Sequence, residues 1–345
     1  MSAPADLPDA TTDLVLDPGV LIAASTLEVQ GFAAVSRTGG LALLPWRAQA
    51  RAAQAAGVAF LPAWNQPAWH SGGGVDFVQA VVRIGKGRAA TEADLAQAWS
   101  ALSPAGRLLI VGGNDIGITT WAKRVAERTG DAGQLLVNRA RGRVVAFARN
   151  DRVLETPSPT VVPLPDGTPL QVAPGVFSGD GLDGGTALML EVLAEEAHAG
   201  APAPRTVVDV GCGAGHLGLA AARQWPNAQV WLLDADHRAV TCAARNALAV
   251  EPALPGESVR IHVAWWDEQD PWPVPDADLA VLNPPWHAGT APDVSSARRL
   301  FAVSNARRLL VVANRHLPYE QDARALGALR VRADNGRFKV LEITR

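Results

Sequence analysis

Residues 206–234 read TVVDVGCGAGHLGLAAARQWPNAQVWLLD, and their pattern decides the fold. The first five are an apolar run interrupted by one acid, Asp209. Such a run reads as a strand buried on both faces of a parallel sheet. A turn rich in glycine follows, with Gly211, Gly213 and Gly215. Residues 217–223 have the composition of a helix, and 229–233 are a second apolar run ending at Asp234. Strand, glycine turn, helix, strand and acid make a nucleotide-binding βαβ unit. Its glycines allow a ligand to approach the backbone, and its terminal acid can accept hydrogen bonds from ribose hydroxyls.

The glycines alone do not choose the ligand. Gly213, Gly215 and Gly218 satisfy G-x-G-x-x-G, so a dinucleotide must be weighed. Asp209 argues against it. A pyrophosphate over a helix N-terminus gains nothing from a carboxylate at the strand end, whereas a cationic ligand does. S-adenosylmethionine (SAM) carries a sulfonium and an ammonium, so it suits Asp209, and an oxidoreductase is disfavoured. The plain alternative is a tight turn that serves only helix–strand packing. Cys212, inside the turn, reads as a small apolar filler rather than a reactive thiol, and His216 as local packing.

A chain of 345 residues suggests two domains, each able to bury a core. The net charge of −3 and 48% hydrophobic content are an ordinary soluble profile. No apolar run approaches the ~20 residues that span a bilayer. The first residues lack a basic-then-apolar signal, so a cytoplasmic protein without a membrane partner is expected. Cys212 and Cys242 are too few for a disulfide framework or a four-cysteine metal site, and no metal is expected. From Arg298 onward the chain is rich in arginine, which fits contact with phosphates. A solvated, arginine-rich surface is the alternative.

Read in order, residues 1–18 are expected to be flexible. Residues 19–150 alternate short strands (19–24, 58–61, 75–84, 107–111) with helices (48–56, 91–102, 118–128). Thr91 serves as an N-cap, 104–106 form a turn, and 134–137 with 144–148 make a closing hairpin. This is a layered α/β domain. No acid-headed glycine triplet follows its first strand, so it reads as a degenerate methyltransferase-like domain kept for binding or support, a role the resemblance described below extends to RNA binding. Residues 151–170 form a proline-rich linker, and 171–345 the SAM-binding domain. The fold class is therefore α/β, with tandem Rossmann-like methyltransferase domains. In the second domain further strands are expected at 259–264, 277–282, 309–313 and 337–343.

The strand at 277–282 runs into Asn283-Pro284-Pro285-Trp286, at the edge where open α/β sheets hold ligands. An exocyclic amine on a base is a poor nucleophile because its lone pair is delocalised into the ring. The Asn283 side-chain oxygen and the Pro284 carbonyl can hold it and draw off its hydrogens. The amine then rehybridises and aims its lone pair at the SAM methyl. The prolines fix the backbone, and Trp286 offers a stacking face worth ~1–3 kcal/mol per base. Catalysis is then orientation and electrostatics. Adenine, or a glutamine side chain in a protein, would be served by the same tetrapeptide. His287 follows, either assisting proton removal or touching phosphate, or holding structure.

These residues resemble a specific family, the small-subunit ribosomal RNA guanine-N(2) methyltransferases of the RsmC type. The resemblance runs from Pro174 to Arg345 in five blocks: 174–178 with Leu182 and Asp183, 208–215, 283–287, 312–319 and 336–340. It implies a tandem pair of domains, with guanine in ribosomal RNA or the small ribosomal subunit as substrate; a monomer is the default, since two halves of one chain could pack on each other. It also implies that Phe177, Asp183, Asp209, Gly211, Gly213, Gly215, Asp234, Asp267 and Asn283 hold SAM. Asn283, Pro284 and Trp286 would be catalytic, and Trp286, His287, Arg315, Arg337 and Lys339 would meet RNA. Four departures stand out. Trp286 replaces the usual Phe, and Gly179 replaces an occasional Arg. Trp265-Trp266 intrude before Asp267, the only acid left for the adenine amine. Residues 304–310 lack the usual Pro-Gly-Gly turn. A catalytically silent RNA-binding or assembly protein is the competing reading from another class.

Overall fold

The structure, a computed structural model, describes residues 10–62, 77–179, 181–200, 202–251, 259–284, 287–288, 291–292, 295–316 and 319–345. The chain divides into two compact units, Ala3–Ser158 and Pro159–Arg345.

The first unit contains helices α1 (Ala10–Val15), α2 (Ala33–Thr38), α3 (Arg47–Ala55), α4 (Arg88–Ser100) and α5 (Ile118–Thr129). Its strands are β1 (Thr26–Val29), β2 (Gly40–Leu43), β3 (Phe60–Leu61), β4 (Phe77–Arg83), β5 (Leu102–Gly113), β6 (Gln134–Arg139) and β7 (Gly142–Ala148). They form one sheet in the order β3-β2-β1-β4-β5-β7-β6. Several expectations need correction. Residues 10–15 are helical, with Leu14 and Val15 buried in the same cluster as Val81, Leu109 and Val111. The first strand is not 19–24 but 26–29. Thr91 lies inside α4, whose N-cap is Gly87. The turn at 104–106 is absorbed into β5, where the register jumps from Phe77↔Leu102 to Gln79↔Arg107.

The second unit opens with the hairpin β8 (Thr160–Pro163) and β9 (Pro169–Val172), so part of the expected linker is ordered structure. It continues with α6 (Gly184–His198), β10 (Thr206–Val210), α7 (His216–Gln224), β11 (Gln229–Asp234), α8 (His237–Val250), β12 (Ile261–Trp265) and β13 (Ala277–Leu282). Then come β14 (His287–Ala288), β15 (Ala291–Pro292), α9 (Ser295–Val303), β16 (Ala306–Asn314), α10 (Tyr319–Arg324), β17 (Ala328–Asp334) and β18 (Phe338–Thr344). The main sheet runs β12-β11-β10-β13-β16-β18-β17, the strand order of the first unit repeated. In each sheet the central pairs are parallel and the last two pairs antiparallel. The protein is thus a tandem pair of Rossmann-like sheets.

Both faces of the second sheet are buried, which explains its uninterrupted apolar strands. Val207, Val230, Leu232, Leu279 and Val281 pack with Leu188, Leu193, Leu219 and Ala221 of α6 and α7. Val208, Val210, Leu233 and Leu282 pack on the other side with Phe301 and Tyr319. The missing Pro-Gly-Gly turn leaves the fifth parallel strand intact. Ser304 closes α9, its Oγ donating to the Leu300 carbonyl, and β16 begins two residues later.

The basic C-terminal region is mostly engaged with acids. Arg308 pairs with Glu196 and Glu342, and Arg330 and Arg332 also converge on Glu342. This cluster holds the Glu342 carboxyl down at about 2, the arginine hydrogen bonds outweighing its burial. Arg298, Arg299 and Arg307 meet Asp322, Glu268 and Asp278. Most of the arginine surplus therefore braces the fold, and the expectation of a broad phosphate-binding surface narrows accordingly.

Candidate functional site

The C-terminal ends of β10 and β13 lie side by side, with Asp209 opposite Val281 and Val210 opposite Leu282. The chain leaves β10 through the glycine turn. Gly211 and Gly213 have φ of 75° and 56°, values that carry a strain cost with any side chain. Above Gly211 nothing lies within 4 Å of where a Cβ would stand, and above Gly213 only the Phe177 Cβ, at 3.9 Å. The ligand-facing side of the turn is bare backbone. Gly218 does a different job. A Cβ there would sit 2.1 Å from Leu232 Cδ2 and 3.0 Å from Asp209 Cβ, so this glycine lets α7 pack against the sheet.

Asp209 is buried, and its Oδ2 accepts the Gly218 N–H at 2.8 Å. Burial, reinforced by the nearby Asp234 carboxylate, pushes its carboxyl up to about 7. An anion so placed is short of positive charge, and a cationic ligand would supply it. Asp234 ends β11. Its Oδ2 accepts from Gly213 N at 2.8 Å and its Oδ1 from Asp236 N at 2.9 Å. Burial raises its carboxyl as well. Each oxygen takes one backbone donor and retains a second lone pair. Asp234 therefore braces the glycine turn while remaining able to accept from a diol.

A cleft opens over this turn, bounded by Asp209, Gly213, Phe177, His216, Thr186 and Asn283. Phe177 is half exposed on the loop before α6. The next residue, Ser178, adopts φ of 70°. His216 is buried and its Nε2 has no partner among the described residues. Burial lowers its basicity, so the ring facing the cleft is neutral. The expectation of local packing thus misses that His216 lines the cleft. Cys212 also lines the cleft, and burial raises its thiol well above the ordinary value, which favours the filler reading.

Asn283 follows β13 directly. Its Nδ2 donates to Asp183 Oδ2 at 3.0 Å and to Thr186 Oγ1 at 2.9 Å. Its Oδ1 accepts from no described residue. Asp183 is the N-cap of α6, its Oδ2 accepting from Gly185 N and Thr186 N at 2.9 and 3.1 Å. Sequence reasoning placed Asp183 near the cofactor. In the structure its Oδ2 is occupied by the helix start and by Asn283. Thr186 joins the site from the first turn of α6, and no local signal links it to a residue 97 positions away.

Other expected residues are less closely gathered. Asp267 is not among the residues lining the cleft; it closes its own turn, its Oδ1 accepting from Gln269 N. Trp265 donates to the Ala235 carbonyl, and Trp266 is buried with Trp272 in the core. Pro284 is buried beside Asn283. Pro285 and Trp286 lie outside the described residues, and His287 is placed only as a residue of β14. Arg315, Arg337 and Lys339 cluster where β16 ends and β18 begins, with Arg315 N bonded to the Arg337 carbonyl at 3.0 Å. Arg315 pairs with Asp334 and Lys339 with Glu320, while the Arg337 guanidinium lies 5.2 Å from the Phe338 ring centroid.

The first unit shows what the same edge looks like when closed. In β1, Glu28 pairs with Val81 and Val29 with Val82, so Glu28 and Arg83 hold the register positions of Asp209 and Asn283. Arg83 forks onto Glu28 Oε1 through Nε and Nη2 at 3.2 and 2.8 Å. Glu28 Oε2 accepts from Ala34 N in the first turn of α2, much as Asp209 accepts from Gly218 in α7. A Cβ on Gly31 would stand 2.1 Å from Arg83 Nε. The guanidinium thus fills the space beside the turn.

Among the described residues no group of three or more His, Cys, Asp or Glu could hold a metal ion, and no helix is long and apolar enough to cross a membrane.

Comparison with known proteins bears on the second unit most directly. The methyltransferase small domain family matches residues 168–342. Ribosomal RNA small subunit methyltransferase C of Pseudomonas entomophila is 39% identical over 192 residues, covering 53% of each chain. Ribosomal RNA large subunit methyltransferase G of a Shewanella species is 34% identical over 179 residues, covering 49% of this chain and 44% of the relative. The chain spans about half the length of the curated relatives it matches. Among solved structures, the T. thermophilus 16S rRNA N2 methyltransferase RsmC, in complex with AdoMet and guanosine, superposes with a TM-score of 0.81 at 23% identity. That match covers 98% of this chain and 92% of the other, and it shows a shared two-unit fold.

Proposed function

Since this chain belongs to the methyltransferase small domain family, we propose that its second unit methylates the exocyclic amine of a guanine in small-subunit ribosomal RNA, with SAM as donor. The observation that carries this reading is the pairing of a buried, charge-deficient Asp209 with an Asn283 whose side-chain oxygen is left without a described partner, in one cleft. The curated relatives named above, ribosomal RNA methyltransferases, supply the substrate class.

The residues present fit SAM. The bare backbone at Gly211 and Gly213 leaves room for it, Asp209 offers an anion to its positive charge, and Asp234 offers lone pairs to its ribose. When bound, SAM supplies an electrophilic methyl carbon on a sulfonium, whose electron pair stays with sulfur as the amine nitrogen forms its new bond to carbon. Asn283 Oδ1 and the Pro284 carbonyl accept the two amine hydrogens and pull the nitrogen out of conjugation. Its lone pair is thereby freed and aimed. Loss of the surplus proton to water then returns the lone pair to nitrogen and restores conjugation. Trp286 stacks on the target base. A target paired in a helix must first be flipped out, at a cost of a few kcal/mol. Phe177 would cover the cofactor, Asp267 would meet its adenine amine from outside the cleft lining, and His287, Arg315, Arg337 and Lys339 would meet RNA. The first unit supports the second and adds RNA contact. The reading extends to a monomer acting in the cytoplasm.

The test is transfer of tritiated methyl from SAM to small subunits and to naked RNA from a strain lacking the gene, followed by nucleoside analysis. Label in N(2)-methylguanosine is expected. Label in methyladenosine or in protein would overturn the guanine assignment, and no label without SAM binding would favour a silent assembly protein.

A further inference from the structure

The reading of Asn283 depends on which end of its amide faces the cleft. The two ends are nearly the same shape but opposite in function. An oxygen can accept from the target amine, whereas an NH2 group facing another NH2 group cannot hold it productively. Rotation by 180° about the terminal torsion would therefore turn a productive site into an unproductive one.

Two residues at the start of α6 remove that freedom. Asn283 Nδ2 donates to Asp183 Oδ2 at 3.0 Å and to Thr186 Oγ1 at 2.9 Å. An ionised carboxylate only accepts, so only the NH2 end of the amide can lie against Asp183. Asp183 is itself fixed, because the same Oδ2 caps α6 through the N–H groups of Gly185 and Thr186. The helix start is fixed in turn. Thr186 is buried, and a Cβ on Gly185 would come within 2.6 Å of Val312 Cγ1 of β16.

The first unit uses the same handhold for a different side chain. Arg83, at the register position of Asn283, donates through Nη1 to Thr11 Oγ1 at 2.8 Å and Thr12 Oγ1 at 3.2 Å. Both threonines lie in α1, which precedes β1 as α6 precedes β10. In each unit a polar side chain at the end of β4 or β13 is held by a hydroxyl in the first turn of the helix that precedes β1 or β10.

We propose that Asp183 and Thr186 are positioning residues that lock the Asn283 amide with its oxygen toward the substrate amine. The proposal rests on the methyltransferase reading above. Thr186→Val removes one acceptor with little change of shape and should lower kcat about tenfold, with the SAM affinity within about twofold of normal. Asp183→Ala removes the carboxylate and should lower kcat about 100-fold. Thr186→Ser restores the hydroxyl and should return to within about threefold of the unsubstituted protein, whereas Asp183→Asn, which can face either end of the Asn283 amide, should recover less.

A second readout needs no RNA. The full chain labelled with 15N-asparagine gives side-chain NH2 signals, and the one lost in Asn283→Ala is assigned to Asn283. Its hydrogen exchange should be at least about tenfold slower in the unsubstituted protein than in Thr186→Val. Equal exchange in both, or a Thr186→Val protein with undiminished kcat, would overturn the lock. If the unsubstituted protein transfers no methyl to guanine, the proposed function falls, and the exchange measurement still decides the lock.

Discussion

The two units share a strand order and an acid at the end of the first parallel strand, yet only the second leaves that acid open to a ligand. Glu28 and Asp209 both accept a backbone N–H from the first turn of the following helix. Beside Glu28 stands the chain's own cation, Arg83, at 2.8 Å. At the register position of Arg83 the second unit has Asn283, a neutral amide that lines the same cleft as Asp209. The residue at this register position, arginine in one unit and asparagine in the other, goes with a closed ion pair in the first and an open acid in the second. The closed edge of the first unit is therefore not an erosion of its fold, since its sheet keeps the strand order of the second. The guanidinium satisfies the acid from within, where a sulfonium and an ammonium would satisfy Asp209 from outside.

The largest expected effect is at Asn283. Asn283→Ala should lower methyl transfer by about 1,000-fold while leaving SAM affinity within about threefold, because it removes an acceptor used as the amine rehybridises. Single-turnover kinetics and calorimetry measure the two quantities. A normal rate would remove Asn283 from the chemistry and break the contrast with Arg83.

Next is Arg83 itself. Arg83→Ala leaves Glu28 buried without its cation and should destabilise the first unit by about 3–5 kcal/mol. Arg83→Met combined with Glu28→Gln should recover most of that loss, since neither charge then remains. Hydrogen exchange in residues 26–43 reads the first unit directly. If the single substitution is harmless, the pair is not what closes this edge.

A smaller effect concerns pH. The Asp209 carboxyl is raised to about 7 in the folded protein, above its unfolded value of about 4. The folded state holds the extra proton between those values, so this contribution to stability is fully present below about pH 4. It is lost as pH rises toward 7 and is flat above. Asp209→Asn removes the slope, and its ligand-free melting temperature at pH 8 should exceed that of the unsubstituted protein by about 5 °C. SAM affinity should run the other way, rising through pH 7 in the unsubstituted protein and staying flat and weak in the variant. A melting temperature unchanged by Asp209→Asn would mean that burial does not destabilise this anion.

What the sequence revealed follows from the range of each interaction. Strands β10, β11 and β13 were legible because both faces are buried, which leaves uninterrupted apolar runs in the chain. Asp209, the glycine turn and Asn283 were legible because their spacing is local or their order follows the fold. Strand β17 was missed because it is an edge strand whose Arg330 and Arg332 answer Glu342 rather than a core. Helix α1 was missed because six residues give too short a period, although Leu14 and Val15 are fully buried. The bonds from Asn283 to Asp183 and Thr186, and from Arg83 to Glu28, join residues far apart in sequence. Nothing near any of these residues announces its partner.

The contrast between the two edges reduces to a count. Calorimetric titration of the full chain with SAM, repeated on Asp209→Ala and Glu28→Gln proteins shown to be folded, measures it. One site per chain is expected, lost in Asp209→Ala and kept with unchanged affinity in Glu28→Gln. Two sites per chain, or a site that survives Asp209→Ala and disappears in Glu28→Gln, would contradict the assignment of the open edge to the second unit.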